Sequence, residues 1–416
     1  MKYSIFLIFI FILISCKKND ENLVDLEFFT NQGKKINLNT HQNLNNKDIT
    51  SIKSLKNQEY FTYKDWSQKN QNMNNLIQAI NFDFNKKKAH IKTNIQNFIF
   101  YKNKIITINE KSNIIIFDSN FKKINSKKIY KRKIYNNYNL KFSIFADAGK
   151  LYISNNLGEV LCINIETLQV IWKKNFGVPF RSQIKLYKGN LYLVNSNSKI
   201  YSVNVDNGEL NWSFETSSQY LKDDKSYQIA IYDNKLFFTN DSSEIYCLDL
   251  NSVKIIWSLS FENKNFNNDS LIFKASPITI DRNGNLFVST NNGYTYNLDL
   301  NSGQTKWSVP IYSLNRFLLT RKYLINTDKN KIIIINKKNG NVLLNKKISN
   351  KKKLFFKDVV LGKEKIYLFD VNGYLVSINK KNFGNISIKK NFKEYNSYIF
   401  YKNSFYVNTS YSIEKF

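Results

Sequence analysis

Three cysteines and two histidines are all that the 416 residues offer for thiol or imidazole chemistry. Cys16 closes the stretch "LISC" (13–16), behind a positive start at Lys2 and an apolar run from Ile5 to Ile14. That run is shorter than the roughly 20 residues needed to span a bilayer, and it fits the core of a secretory signal. Leu at −3, small Ser15 at −1 and then Cys form a lipobox, in which the thiol takes a diacylglycerol and becomes the mature N-terminus. Several acyl chains on one cysteine anchor stably, because each buried methylene contributes about 0.8 kcal/mol. Lys17, where an Asp would favour retention in the inner membrane, points to the outer one. The expected organisation is a signal peptide over 1–15, a lipidated, flexible Asn-, Lys- and Gln-rich tether over 16–58, and one folded domain over 59–416.

The remaining chemistry is sparse. Cys162 and Cys247 each stand ten residues before a tryptophan, in matching positions of two non-adjacent sequence units. Such positions are too far apart for a disulfide, whose Cα atoms must lie within about 7 Å. They read as buried, free, inert thiols. His41 and His90 fall outside the units, and no Cys or His pair has zinc-ligand spacing. There is no glycine-rich phosphate loop and no Gly-x-Ser-x-Gly elbow. Asp241, Asp281 and Asp328 read as turn formers. No catalytic residue, metal or cofactor is expected.

The elements that would position any site emerge on aligning tryptophans. "KLYISNNLGEVLCINIETLQVIW" (150–172), "NLYLVNSNSKIYSVNVDNGELNW" (190–212), "KLFFTNDSSEIYCLDLNSVKIIW" (235–257) and "NLFVSTNNGYTYNLDLNSGQTKW" (285–307) superimpose without a gap. Each reads as strand, turn, alternating strand, turn, and a short strand ending on Trp172, Trp212, Trp257 or Trp307. Weaker copies lie at 104–126, 322–344, 365–387 and, truncated, 403–416. Eight units spaced about 40–50 residues apart predict an all-β, eight-bladed β-propeller of four-stranded blades. The last unit lacks its outer strand. A ring closes best when an N-terminal strand completes the last blade, removing exposed edges. The fifth tryptophan, Trp66 in "YKDWSQ" (63–68), is expected to supply that strand, so that all five tryptophans hold one blade-docking position.

A net charge of +30 invites a nucleic-acid reading. The basic residues, however, are 57 Lys against 5 Arg, alongside 64 Asn, and the Lys are spread through the turns. That pattern reflects an AT-rich coding bias, since Arg is the residue expected at base and phosphate forks. No nucleic-acid partner is expected. A basic surface favours anionic lipid head groups or acidic proteins.

Units of the form "LDLNSGQTKW" (298–307) resemble the repeats of pyrroloquinoline-quinone (PQQ) enzymes. With the lipobox and eight units, the region 59–416 resembles the BamB-type lipoproteins of the outer-membrane β-barrel assembly machinery. "DWSQKNQNMNNL" (65–76) and the segments 180–212 and 275–307 are most similar to α-proteobacterial versions. The resemblance implies a non-enzymatic scaffold, monomeric within a hetero-complex, lipid-anchored on the periplasmic face of the outer membrane. Its implied partners are the periplasmic domains of the BamA-like barrel subunit and other complex members. Loop 217–228 matches the place of a Leu and Arg contact motif; Leu221 is present, the Arg is not. Loop 264–277 keeps one acid, Asp269, of an acidic pair. Leu221, Asp223, Asp224 and Asp269 are therefore the expected partner contacts. The alternatives are a PQQ-dependent dehydrogenase and a glycan- or peptidoglycan-binding propeller. The former is usually longer, with a vicinal Cys pair that this chain lacks.

Overall fold

Short apolar runs separated by Asn-, Asp- and Gly-bearing turns can bury their surface only as stacked antiparallel sheets. In the computed structural model, which describes residues 44, 47–55, 58–84, 87, 89–131, 139–219, 226–261, 272–349, 352–409 and 411–416, every named element is a strand. The strands form eight sheets in a ring. Blades 1 to 8 span 97–128, 142–175, 185–215, 229–260, 279–309, 318–347, 356–390 and 397–415. In blade 2, Phe142–Asp147, Lys150–Asn155, Glu159–Asn164 and Val170–Asn175 follow one another from the axis to the rim. The inner three are mostly buried, whereas the rim strand is largely exposed apart from Trp172.

The tryptophan position depends on a bulge. In blades 2 to 5 the register of the rim strand slips by one residue just before Trp172, Trp212, Trp257 and Trp307. A bulge re-aims the side chain that follows it, and each indole leans toward the next blade. Nε1 of Trp172, Trp257 and Trp307 donates to the carbonyls of Val205, Leu300 and Lys337, at 3.0, 3.0 and 2.9 Å. Each of these carbonyls belongs to a turn of the following blade. Gly208, Gly303 and Gly340 of the same turns lie under the rings at φ of 73°, 70° and 77°. Burying an aromatic of this size removes about 150–250 Å² from water, about 4–6 kcal/mol at 25 cal/mol per Å². Trp212 differs: the turn it faces carries Val253 at φ 57° in place of glycine, and its ring is only half-buried. Leu344 takes the position in blade 6, behind the same bulge.

Ring closure corrects one expectation. The N-terminal strand that completes blade 8 is Ala89–Lys92, pairing antiparallel with Ser412–Lys415, and His90 stands opposite Glu414 within it. Trp66 is not part of it. Trp66 lies at the axis, buried, with its backbone paired to Phe100 of blade 1 and its ring edge-on to Tyr63 and Tyr398. Four tryptophans, not five, share the rim-strand position. The physical reason is that the chain around Trp66 has a different partner in every few residues, so no strand edge is available there.

Upstream, Ile49–Thr50 pairs with the rim strand Val342–Lys347 and makes blade 6 five-stranded. Asn345 donates to the carbonyls of Leu44 and Lys47, and Leu55 is buried with its N–H on Lys380. Leu44, Lys47, Ile49, Thr50 and Leu55, in the last part of the region expected as a tether, are thus held against blades 6 and 7.

Candidate functional site

Residues 61–82 form a belt inside the ring. Taken in chain order, Tyr63 accepts from Lys402 of blade 8, Trp66 pairs with Phe100 of blade 1, and Ser67 accepts from Ala146 of blade 2. Lys185 of blade 3 donates to Gln68 Oε1, Asn72 O and Asn75 Oδ1 at 3.0, 2.8 and 2.7 Å. Met73 accepts from Ile231 of blade 4, and Asn74 exchanges two bonds with Ile280 of blade 5. Ile77 then accepts from Leu319 of blade 6, and Ile80 donates to Leu361 of blade 7. All eight innermost strands, or the turns leaving them, are met in order. Asn70 and Asn75 bend the belt at φ of 58° and 55°, in the left-handed region that Asn tolerates better than most residues. Arg282 lies over the Phe61 ring, 4.9 Å from its centre.

The belt touches the far ends of the innermost strands, so it floors the channel at one end. Above it, the near ends of those strands enclose a funnel of about 700 Å³, with Trp66, Lys69 and Asn70 at its floor. Its lining carries five cations (Lys69, Lys141, Arg181, Arg316 and Lys357) against two carboxylates, Glu110 and Asp358. Asp358 is committed: Arg316 Nε donates to it at 2.5 Å and Tyr395 OH at 2.6 Å. The Arg316 guanidinium stacks 4.3 Å above the Tyr398 ring.

Lys69 and Lys357 project into the funnel, wetted but surrounded by protein. Enclosure penalises their charged forms, and both pKa values are lowered. For Lys69 the like charges of Lys357 and Arg316 add to that effect; for Lys357, burial and Arg316 outweigh Asp358. Burial likewise pushes the Tyr395 and Tyr398 phenols up, so both remain neutral. Lys185, fully buried beneath the belt, is held well below the ordinary lysine value by burial and by Lys69. Among the described residues no three His, Cys, Asp or Glu side chains gather to hold a metal ion. Cys162 and Cys247 are free and buried, their thiols pushed up by burial to about 11 and about 12.

Of the residues expected to act, Cys16, Leu221, Asp223, Asp224 and Asp269 lie outside the described residues. The flanks of their loops are described and converge on the funnel: Ser226 and Gln228 of loop 217–228 and Pro277 of loop 264–277 line it. Asp241 anchors the first loop, accepting from Ser198, Ser218, the Gln219 N–H and Tyr227. Sequence reasoning missed Lys69, Arg316, Lys357 and Lys185 because they sit between the repeats. One signal was available, in that arginine is scarce here, yet Arg181 and Arg316 line the funnel and Arg282 braces the belt.

Eight antiparallel blades in a ring, with rim tryptophans of blades 2 to 5 docked on the turns of the blades that follow, define a PQQ-like-repeat β-propeller. Residues 139–346 match the family model of the outer membrane protein assembly factor BamB. The chain belongs to that family, one of outer-membrane assembly factors. No curated protein sequence matches it. Among solved structures it is similar to BamB from Moraxella catarrhalis, with 11% identity and a TM-score of 0.64 over 79% of this chain and 98% of that one. The computationally designed Ika8 protein matches at 9% identity and a TM-score of 0.60, over 79% and 98% of the two chains. A quinohemoprotein alcohol dehydrogenase from Pseudomonas putida HK5 matches at 10% identity and a TM-score of 0.55, over 83% and 75%. At these identities the likeness concerns the fold.

Proposed function

We propose that this propeller is a non-enzymatic accessory subunit of the β-barrel assembly machinery, docking on the periplasmic domains of a BamA-like barrel subunit. Anchored through a lipidated Cys16 on the periplasmic face of the outer membrane, it acts as a scaffold while outer-membrane proteins fold and insert. Membership of the BamB family over 139–346 is the observation that carries this reading. The position of their described flanks, with Ser226, Gln228 and Pro277 all lining the funnel, supports the use of loops 217–228 and 264–277 as the docking surface. The dehydrogenase fold neighbour does not favour an enzymatic reading, since the three cysteines, at 16, 162 and 247, include no adjacent pair.

The test is affinity purification of the tagged lipoprotein from gently solubilised envelopes. A barrel subunit recovered in comparable amount is expected. Replacing 219–225 and 264–270 with Gly-Ser segments should abolish its recovery while the propeller still folds. Absence of any barrel-assembly subunit at both low and high salt would overturn the reading. Replacing Leu221, Asp223, Asp224 and Asp269 by Ala tests the individual contacts, and undiminished recovery would remove these four from the interface.

A further inference from the structure

Three cations, Lys69, Arg316 and Lys357, stand within electrostatic reach of one another at the bottom of the funnel, with Asp358 among them. Glu394 adds only a minor attraction on Lys357. One carboxylate against three cations leaves close to two positive charges without a contacting counter-charge. Like charges enclosed together repel more strongly than at an open surface, because the effective dielectric falls. Arg316 Nη2 and Asn70 Nδ2 also lack hydrogen-bond partners, and orphaned polar atoms of this kind are uncommon in native interiors. The arrangement is rigid: Arg316 is locked by Asp358 and Tyr398, and the belt carrying Lys69 and Asn70 is bonded to every blade.

We propose that the funnel is a binding site for a small oxyanion bearing two or more negative charges, of the phosphate or carboxylate class. Lys69 and Lys357 supply mobile ammonium groups and Arg316 a fixed guanidinium. The 700 Å³ volume accommodates an anion with an organic body, which Phe98, Phe180 and Tyr398 on the walls can cover. This inference does not rest on the partner-docking reading, since the ligand is a small molecule and the residues lie in the described core of the ring.

The experiment is isothermal titration of the full mature chain with inorganic pyrophosphate, and in parallel with citrate, at moderate salt to suppress diffuse binding to the +30 surface. One-to-one binding of at least one of the two probes is expected. Lys69→Gln/Lys357→Gln should weaken it tenfold or more. Lys122→Gln/Lys123→Gln, on the exposed side of blade 1, should leave it unchanged. Binding that survives in the funnel variant, or that falls equally in both variants, would overturn the proposal, as would no saturable binding by the wild-type chain. Thermal unfolding supplies the second readout. Without ligand the funnel variant should be at least as stable as wild type, because two mutually repelling charges are gone. With the probe that binds, only the wild type and the surface variant should shift upward. A funnel variant less stable than wild type would make the two lysines structural and overturn the assignment.

Discussion

Gly303→Ala tests the wedge between blades 4 and 5. A Cβ at this position meets Trp257 Cδ2 at 2.6 Å, Cε3 at 2.7 Å and Cγ at 3.0 Å, and the backbone φ is 70°. Two penalties therefore add. Holding alanine in the left-handed region costs about 1–2 kcal/mol, and forcing a methyl against a packed ring costs about 1–3 kcal/mol. Gly149 separates them, since its φ is 77° but its Cβ would meet nothing within 4 Å. Gly149→Ala should therefore lose about 1 kcal/mol, part of the strain being offset by the stiffer unfolded chain. Gly303→Ala should lose about 2–4 kcal/mol. Urea unfolding of the two variants beside wild type measures the gap, valid if the slope with denaturant is unchanged. Adding Trp257→Ala to Gly303→Ala should return the glycine penalty to the Gly149 level, a coupling of about 1–3 kcal/mol. Equal losses in the two glycine variants would refute the claim that the indole docks on the next blade's turn through a Cβ-free surface.

Val253→Gly should stabilise the chain by about 1 kcal/mol in the same assay, because Val253 holds φ 57° in the turn facing Trp212. Lys185→Met should lower stability by about 3 kcal/mol, leaving Gln68 Oε1 and Asn75 Oδ1 buried without a donor and Asn72 O with only the Asn75 N–H. Burial and the nearby Lys69 depress the Lys185 pKa on folding from the ordinary 10.5. Between the depressed value and 10.5 wild-type stability gains from rising pH, and the deficit of the Met variant measured by thermal unfolding should widen over that window. Asp299 is pushed up by burial but held at about 2 by Lys306 and the Ser302 and Asn301 N–H groups. Its contribution is present above pH 4 and lost as pH falls toward 2, so Asp299→Asn should flatten the urea midpoint across that interval.

Much of the ring was legible because the second, third and fourth strands of blades 1 to 6 are five or six residues long with turn residues at fixed offsets. The innermost strands were hidden. Lys185–Tyr187, Thr279–Ile280 and Leu318–Leu319 are two or three residues long, too short for a period of two to register. The closing strand Ala89–Lys92, "AHIK", has four residues and ends on no tryptophan, which is why Trp66 was the more visible candidate. The belt has no local periodicity at all, since its partners lie on eight separate blades. The funnel cations escaped for the same reason: Lys69 belongs to the belt, Arg316 to a connection between blades, and Lys357 to the innermost strand of blade 7. Their common destination is a property of closure rather than of neighbouring residues.

The belt also orders events in time. Residues 61–82 precede every blade in the chain, yet each anchor of the belt lies on a blade made later, the last being the turn at Lys402. A chain emerging N-terminus first cannot finish docking this segment until blade 8 exists, and the strand Ala89–Lys92 can close the ring only at the same stage. Stacked repeats ordinarily grow by neighbour contacts and can begin anywhere. Here the final step ties the first segment made to the last, so an incomplete ring has neither floor nor seam. A truncated or stalled product is thereby marked by an open channel and an unpaired strand Ala89–Lys92, surfaces that the finished ring conceals.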